Sequence, residues 1–179
     1  MSSVGRRTYV VHAAVAAVAL ALGVWLARSL APLSTSEPPQ QRAAAWRMED
    51  LQGRPETLGG LAASLLLVNF WATWCAPCRE EIPLLVRLRE EYRERGLEVV
   101  GAAIDDPDAV RRYREQLNIP YPLLIVRGDA AGLLREWGSS SGALPFSVLR
   151  DGKGNIIATK TGPYSESELR RLLEQHLAL

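Results

Sequence analysis

Ser64–Phe70 reads SLLLVNF, a short apolar run, and six residues later a helical pattern begins. A strand without polar alternation is buried on both faces, which requires helices above and below its sheet. The pattern over Ala76–Arg95 places Ile82, Leu85, Leu88 and Tyr92 at three- and four-residue steps, and Gly96 closes it. The alternation continues. Leu97–Ile104 reads as a strand, and Pro107–Leu117 as an amphipathic helix with Asp105 or Asp106 as its N-cap. Leu123–Val126 reads as a strand, Asp129–Trp137 as a short helix and Phe146–Arg150 as a strand. Asp151-Gly152-Lys153-Gly154 supplies turn chemistry into a strand over Asn155–Lys160. Ser165, with Glu168 three residues on, predicts a capping box for a terminal helix. This order predicts an α/β fold, a central mixed sheet flanked by helices.

The 179 residues exceed what this domain needs, and the surplus is N-terminal. Tyr9–Ala27 contains no charged residue, and nineteen residues at ~1.5 Å each span about 28 Å, near the hydrocarbon thickness of a bilayer. Cleavage after Ala27 would put Trp25 at a position that wants a small residue, and cleavage after Ala31 would leave Pro32 next. A transmembrane anchor over 9–28 is therefore expected, with a cleaved signal peptide as the alternative. Arg6 and Arg7 ahead of the span predict a cytoplasmic N-terminus over 1–8 and an exported remainder. Residues 29–45, rich in Pro, Ser, Gln and Ala, read as a flexible tether, and 46–179 as the folded domain. The net charge of +1 argues against a nucleic-acid partner. Two cysteines exclude a multi-disulfide scaffold. A four-ligand zinc site would also need both histidines, one of which, His12, lies in the apolar span, so no metal is expected.

Both cysteines fall in Trp74-Cys75-Ala76-Pro77-Cys78, between the first strand and the first helix. Unpaired N–H groups and the positive dipole end of a helix stabilise a thiolate, which predicts a Cys75 more acidic than the ~8.5 of an ordinary thiol. Cys78, one turn later, is placed to resolve a mixed disulfide made by Cys75. Pro77 suits the first helical turn. The competing reading, an inert disulfide, would close so small a loop that it restrains almost no chain entropy.

The segment Val68-Asn69-Phe70-Trp71-Ala72-Thr73-Trp74-Cys75-Ala76-Pro77-Cys78-Arg79-Glu80-Glu81-Ile82-Pro83 resembles the active-site stretch of the thioredoxin superfamily, most closely the TlpA/ResA-like membrane-anchored thiol–disulfide oxidoreductases of bacteria. The likeness runs from about Trp46 to the C-terminus. It implies a thioredoxin-like fold on the periplasmic or outer side of the cytoplasmic membrane, anchored by a single pass. It also implies a Cys75/Cys78 cycle without a cofactor. The partners it implies are exported proteins carrying disulfides, such as apocytochrome c or copper-site proteins, and a membrane-embedded electron donor.

Glu81 matches the acidic position that follows the cysteine pair and is expected to move a proton during exchange. Glu80 reads as solvated. Asn69 stands where many thioredoxins carry a buried aspartate, which leaves Glu81 as the proton handler. Pro83 is expected to kink the helix. Pro145 matches the cis-proline position, so Trp74, Pro77, Leu144 and Pro145 are expected to form the substrate groove; the family often has threonine where Leu144 stands. Trp71 is expected to pack inside. The run Arg87–Arg95 reads as a solvated face, and His12 and His176 are assigned no role. The loop Ser139–Leu144 lacks the glycine-and-tyrosine pattern of dedicated cytochrome c maturation reductases, so a generalist or copper-assembly reductase stands at least level with a dedicated cytochrome c maturation reductase, which is kept as an alternative. Rival readings are a thioredoxin-fold copper chaperone binding Cu(I) through the two thiolates, and a thiol peroxidase, for which Thr73 lacks the required spacing.

Overall fold

In the computed structural model the chain divides into two units, Met1–Glu37 and Pro38–Leu179. The structure describes positions 12, 16, 18–20, 22, 23 and 25 of the first unit and residues 46–58, 61 and 63–177 of the second. The described positions of the first unit are helical, and Val18, Leu20, Leu22 and Trp25 are exposed. Among the described residues no helix is long and apolar enough to cross a membrane. The expected terminus 1–8, most of the expected anchor 9–28 and the expected tether 29–45 lie outside the described residues.

The second unit runs β1 (Trp46–Glu49), β2 (Pro55–Glu56), β3 (Leu65–Trp71), α1 (Ala76–Tyr92), β4 (Leu97–Ala103), α2 (Pro107–Leu117), β5 (Leu123–Gly128), α3 (Ala130–Glu136), β6 (Phe146–Asp151), β7 (Ile156–Thr161) and α4 (Glu166–His176). The strands form one mixed sheet in the order β2-β1-β5-β4-β3-β6-β7. β3 sits inside it, parallel to β4 and antiparallel to β6, with Phe70 opposite both Ala102 and Phe146.

Because side chains alternate along a strand, β3 feeds two cores. Leu65, Leu67 and Trp71 pack with Ile82, Leu85, Leu88 and Tyr92 of α1 and with Leu169 and Leu173 of α4. Leu66, Val68 and Phe70 pack with Met48, with Leu133 and Leu134 of α3, and with Trp137 just beyond it. Asn69 shares the parity of Leu67 and Trp71, so this central strand turns one polar side chain toward α1.

Two strands precede the run that the sequence reading takes as the first. Of residues 47–49 of β1 only Met48 is buried, and the strand pairs antiparallel with β5. β2 has two residues at the sheet edge, where the missing N–H of Pro55 costs no ladder bond. The helix expected over 76–95 stays α-helical through Pro83 to Tyr92, and Arg93–Arg95 tighten into a 3-10 turn. Gly96 ends it at φ 100°, where a Cβ would lie 2.6 Å from the Ser64 hydroxyl.

Of the two caps expected for α2, Asp106 is the one used, its carboxylate accepting from the N–H of Asp108 and of Ala109. Ser165 caps α4 by accepting from the Glu168 N–H at 3.3 Å, but the Glu168 carboxylate turns to Lys160 at 2.8 Å, so the capping box is only half formed. The charged residues of the run Arg87–Arg95 are exposed, as expected, except Arg89, which is half-buried and pairs with Glu98 on β4; Arg95, in the 3-10 turn, pairs with Glu174 on α4 at the surface.

Candidate active site

The site lies at the C-terminal end of β3. After Trp71 the chain turns through Ala72–Cys75, closed by the Cys75 N–H donating to the Ala72 carbonyl at 3.2 Å. Cys75 is then the N-cap of α1 in extended conformation, and its Sγ accepts from the Cys78 N–H at 3.3 Å. Pro77 lies in the first turn and leaves no amide unpaired there. Cys75 and Cys78 form a disulfide with Cα atoms 5.3 Å apart. Their surroundings are unequal. Cys75 is 6% exposed and adjoins Trp74, which is 69% exposed, whereas Cys78 is fully covered. The cysteine that keeps some exposure is thus the one at the helix N-terminus.

Thr73, which precedes Trp74, is fastened from the next crossover. Asp105 Oδ2 accepts from the Thr73 N–H at 2.7 Å and from its hydroxyl at 2.6 Å, while Asp105 Oδ1 accepts from the Asp106 N–H. The sequence reading finds Asp105 only as a possible helix cap. Its actual partner lies 32 residues away, and no local pattern signals that distance.

Below the disulfide lies a buried polar cluster. Glu81, one turn beyond Cys78 on the same face of α1, is only 3% exposed. Its Oε1 accepts from the Tyr164 main-chain N–H at 2.7 Å, and its Oε2 accepts from Asn69 Nδ2 at 3.1 Å. Asn69 Nδ2 also donates to the Ser147 hydroxyl on β6 at 2.9 Å. Burial pushes the Glu81 carboxyl above its ordinary value of 4.5; the Tyr164 and Asn69 hydrogen bonds and the Lys160 charge pull the other way without reversing it, and Glu168 adds a small push upward. Asn69 Oδ1 and Trp71 Nε1 are the buried side-chain polar atoms among the described residues that lack a hydrogen-bond partner. Glu80 is exposed, as expected.

The Leu144–Pro145 peptide is cis. Since Phe146 opposes Phe70, this peptide lies at the same end of the sheet as the cysteines. Pro145 is buried, its carbonyl accepting from the Gly162 N–H at 2.8 Å, and Leu144 is half-buried. Trp74, Pro77, Leu144 and Pro145 therefore all lie at the sheet end that carries the disulfide. Trp71 is buried against the Tyr113 ring at 5.6 Å, and His176 is exposed. Among the described residues no cluster of three or more His, Cys, Asp or Glu is arranged to hold a metal ion.

Residues 39–159 match the model of the AhpC/TSA family. The chain is 29% identical over 139 residues to the thiol-disulfide oxidoreductase ResA of Halalkalibacterium halodurans, covering 75% of this chain and 74% of that one. It is 31% identical over 127 residues to ResA of Bacillus thuringiensis strain Al Hakam, covering 70% and 71%. A thioredoxin-related protein from Neisseria meningitidis serogroup B superposes with a TM-score of 0.66 at 28% identity, covering 74% of this chain and 99% of that one. With its cysteine pair joined across the first helical turn at the end of β3, the chain belongs to the AhpC/TSA family and, within the thioredoxin superfamily, is a TlpA/ResA-like thiol–disulfide oxidoreductase.

Proposed function

We propose that this oxidoreductase is a reductase of disulfides in exported proteins, anchored in a bacterial cytoplasmic membrane with its redox domain in the periplasm or at the cell exterior. The observation that carries the reading is the unequal setting of the two sulfurs, one capping α1 beside an exposed tryptophan and the other sealed beneath it.

In the dithiol form, the Cys75 thiolate attacks one sulfur of a substrate disulfide, forming a mixed disulfide and expelling the other sulfur as a thiolate. Cys78 gives its proton to Glu81 and attacks Cys75 Sγ, which releases the second substrate sulfur and leaves the Cys75–Cys78 disulfide. The substrate gains two electrons and the enzyme loses two. The Glu81 proton goes to a departing thiolate, and an external dithiol donor in the membrane restores the enzyme. Trp74 and Pro77 supply apolar contact, and the backbone at Leu144 offers strand-like pairing to an extended substrate. No metal or nucleotide enters the cycle. Reduction rather than oxidation is supported by the resemblance over 68–83. Membrane attachment is supported by the uncharged run Tyr9–Ala27 and by the exposed apolar side chains of its described helical positions.

The deciding measurement is the reduction potential of the pair. A value of about −270 mV or lower supports a reductant, and one of about −120 mV overturns that direction. Cys78→Ser in living cells is expected to accumulate mixed disulfides through Cys75 with exported proteins, and Cys75→Ser none. Recovery of the full chain in a wash-resistant membrane fraction, with the domain cleaved by protease added outside spheroplasts, tests anchor and orientation. Tight Cu(I) binding without insulin disulfide turnover would favour the chaperone reading.

A further inference from the structure

We infer that the Asn69 carboxamide turns over whenever Glu81 changes charge, presenting Nδ2 to the carboxylate and Oδ1 to the carboxyl, which makes Asn69 the positioning residue for the proton-carrying side chain. The inference rests on the reading of Glu81 as the proton acceptor.

An asparagine amide carries two donors at one end and an acceptor at the other. Here Nδ2 makes both contacts, to Glu81 Oε2 at 3.1 Å and to Ser147 Oγ at 2.9 Å, and Oδ1 makes none. All three residues are buried. A buried acceptor without a donor costs about 1–3 kcal/mol, so this orientation needs a compensating reason. The ionised carboxylate supplies it, because it can only accept and so requires the NH₂ end.

Protonation removes that reason. Oε1 is committed to the Tyr164 N–H at 2.7 Å, so the added proton belongs on Oε2, facing Asn69. Two donors would then oppose each other. A half-turn about χ2 exchanges Nδ2 for Oδ1 with almost no change of shape, along a torsion that is broadly two-fold for this side chain. Oδ1 then accepts from Glu81 Oε2–H and from the Ser147 hydroxyl, which changes from acceptor to donor. Oε2 finds a complementary partner at the same place in both charge states, so a proton can be held or surrendered without moving the backbone; the flip turns the Nδ2 hydrogens to the side where Oδ1 has no partner, so the amide favours the carboxylate over the carboxyl. An aspartate at position 69 would add a second charge, and a leucine would satisfy neither state.

The groups facing Glu81 are Lys160 on β7, Glu168 on α4, Tyr121 ahead of β5, Tyr164 ahead of α4 and the cysteines that begin α1. Burial pushes both phenols up, Tyr164 to about 12, so they remain neutral. Glu168, paired with Lys160, is held below the ordinary carboxylate value and so titrates apart from Glu81. In the disulfide form the cysteines have no proton to lose.

The test is an NMR titration of the oxidised full chain in detergent micelles from pH 3 to 10, with Glu ¹³Cδ and Asn side-chain ¹⁵N labels. The Asn69 NH₂ signals are expected to move with the Glu81 carboxyl at one common midpoint. Below that midpoint the contact between the Asn69 amide protons and Ser147 is expected to disappear. Asn69→Leu removes the bond to each charge state, and because the charge-assisted bond to the carboxylate is the stronger of the two, the Glu81 midpoint shifts upward, and with it the pH profile of disulfide reduction. A titrating Glu81 beside an unresponsive Asn69 amide overturns this inference alone, as does an unshifted Glu81 midpoint in Asn69→Leu. A Glu81 carboxyl that does not titrate in this range overturns both this inference and the proton role on which it rests. If Asn69→Leu fails to fold, the wild-type titration decides the matter by itself.

Discussion

Asp105 holds Thr73 twice, accepting from its main-chain N–H at 2.7 Å and from its hydroxyl at 2.6 Å through one carboxylate oxygen. This pair of hydrogen bonds crosses from the end of β4 to the turn that presents Trp74 and Cys75. Asp105→Ala strands both Thr73 donors in a half-buried site and is expected to cost about 1–3 kcal/mol. Thr73→Val removes only the hydroxyl contact and is expected to cost less. Urea denaturation of the oxidised chain measures both, and equal losses in the two variants would contradict this assignment.

Exposure at Trp74 gives an opposite expectation. The indole is 69% exposed, so Trp74→Ala should leave stability within about 0.5 kcal/mol. Its effect belongs in substrate contact: kcat/KM is expected to fall about tenfold for a folded protein disulfide, one apolar anchor's share. It should stay unchanged for oxidised glutathione. Parallel kinetics with the two substrates check this, and equal losses on both would place Trp74 in the chemistry instead.

Glu81 and Glu174 predict opposite slopes of stability with pH. Burial raises the folded-state pKa of Glu81, so its favourable contribution is complete below the ordinary value of 4.5 and is lost as pH rises through the folded value. Arg95 and the Tyr92 hydroxyl hold Glu174 at about 2, so its contribution is present above 4.5 and is lost as pH falls toward 2. Glu81→Gln should flatten the loss of stability above pH 4.5 and leave the acid limb in place. Denaturation midpoints of both proteins across pH 2–8 would show it. Glu81→Gln should also slow turnover by about 10²-fold at neutral pH, the share typical of a positioned proton acceptor.

Gly101 on β4 offers a packing test. A Cβ there would lie 2.5 Å from Leu123 Cδ2 and 2.9 Å from Trp71 Nε1, both inside the core that backs the active-site strand. Leu123 is itself buried and has little room to withdraw. Gly101→Ala is expected to destabilise by about 1–3 kcal/mol, against the usual gain when glycine becomes alanine. A stabilised variant would show that the core yields more readily than this.

What could be read from the sequence was whatever depends on near neighbours. The buried run of β3, the periodicity of α1, the cysteine pair at their junction and the cap at Ser165 each involve residues within a few positions of one another. The cis peptide at Leu144–Pro145 came from family likeness, since nothing local to Ala143-Leu144-Pro145-Phe146 dictates it. β1 carries no local signal because pairing with a strand some eighty residues later defines it. Of the buried cluster, Glu81 and Asn69 were visible through the motif around the cysteines. Ser147 and Tyr164 reach it from 78 and 83 residues downstream of their partners, and their surroundings in sequence carry no trace of that contact.

Those long reaches carry a temporal consequence. A polypeptide made from its N-terminus exposes both thiols when scarcely half of it exists, yet the serine and the backbone amide that complete the carboxylate's setting come only with the last strands and the final helix. The nascent chain therefore has its sulfurs before it has a finished proton acceptor. Competence for exchange arrives with the C-terminal third, and a product truncated before Tyr164 would carry the motif without the machine.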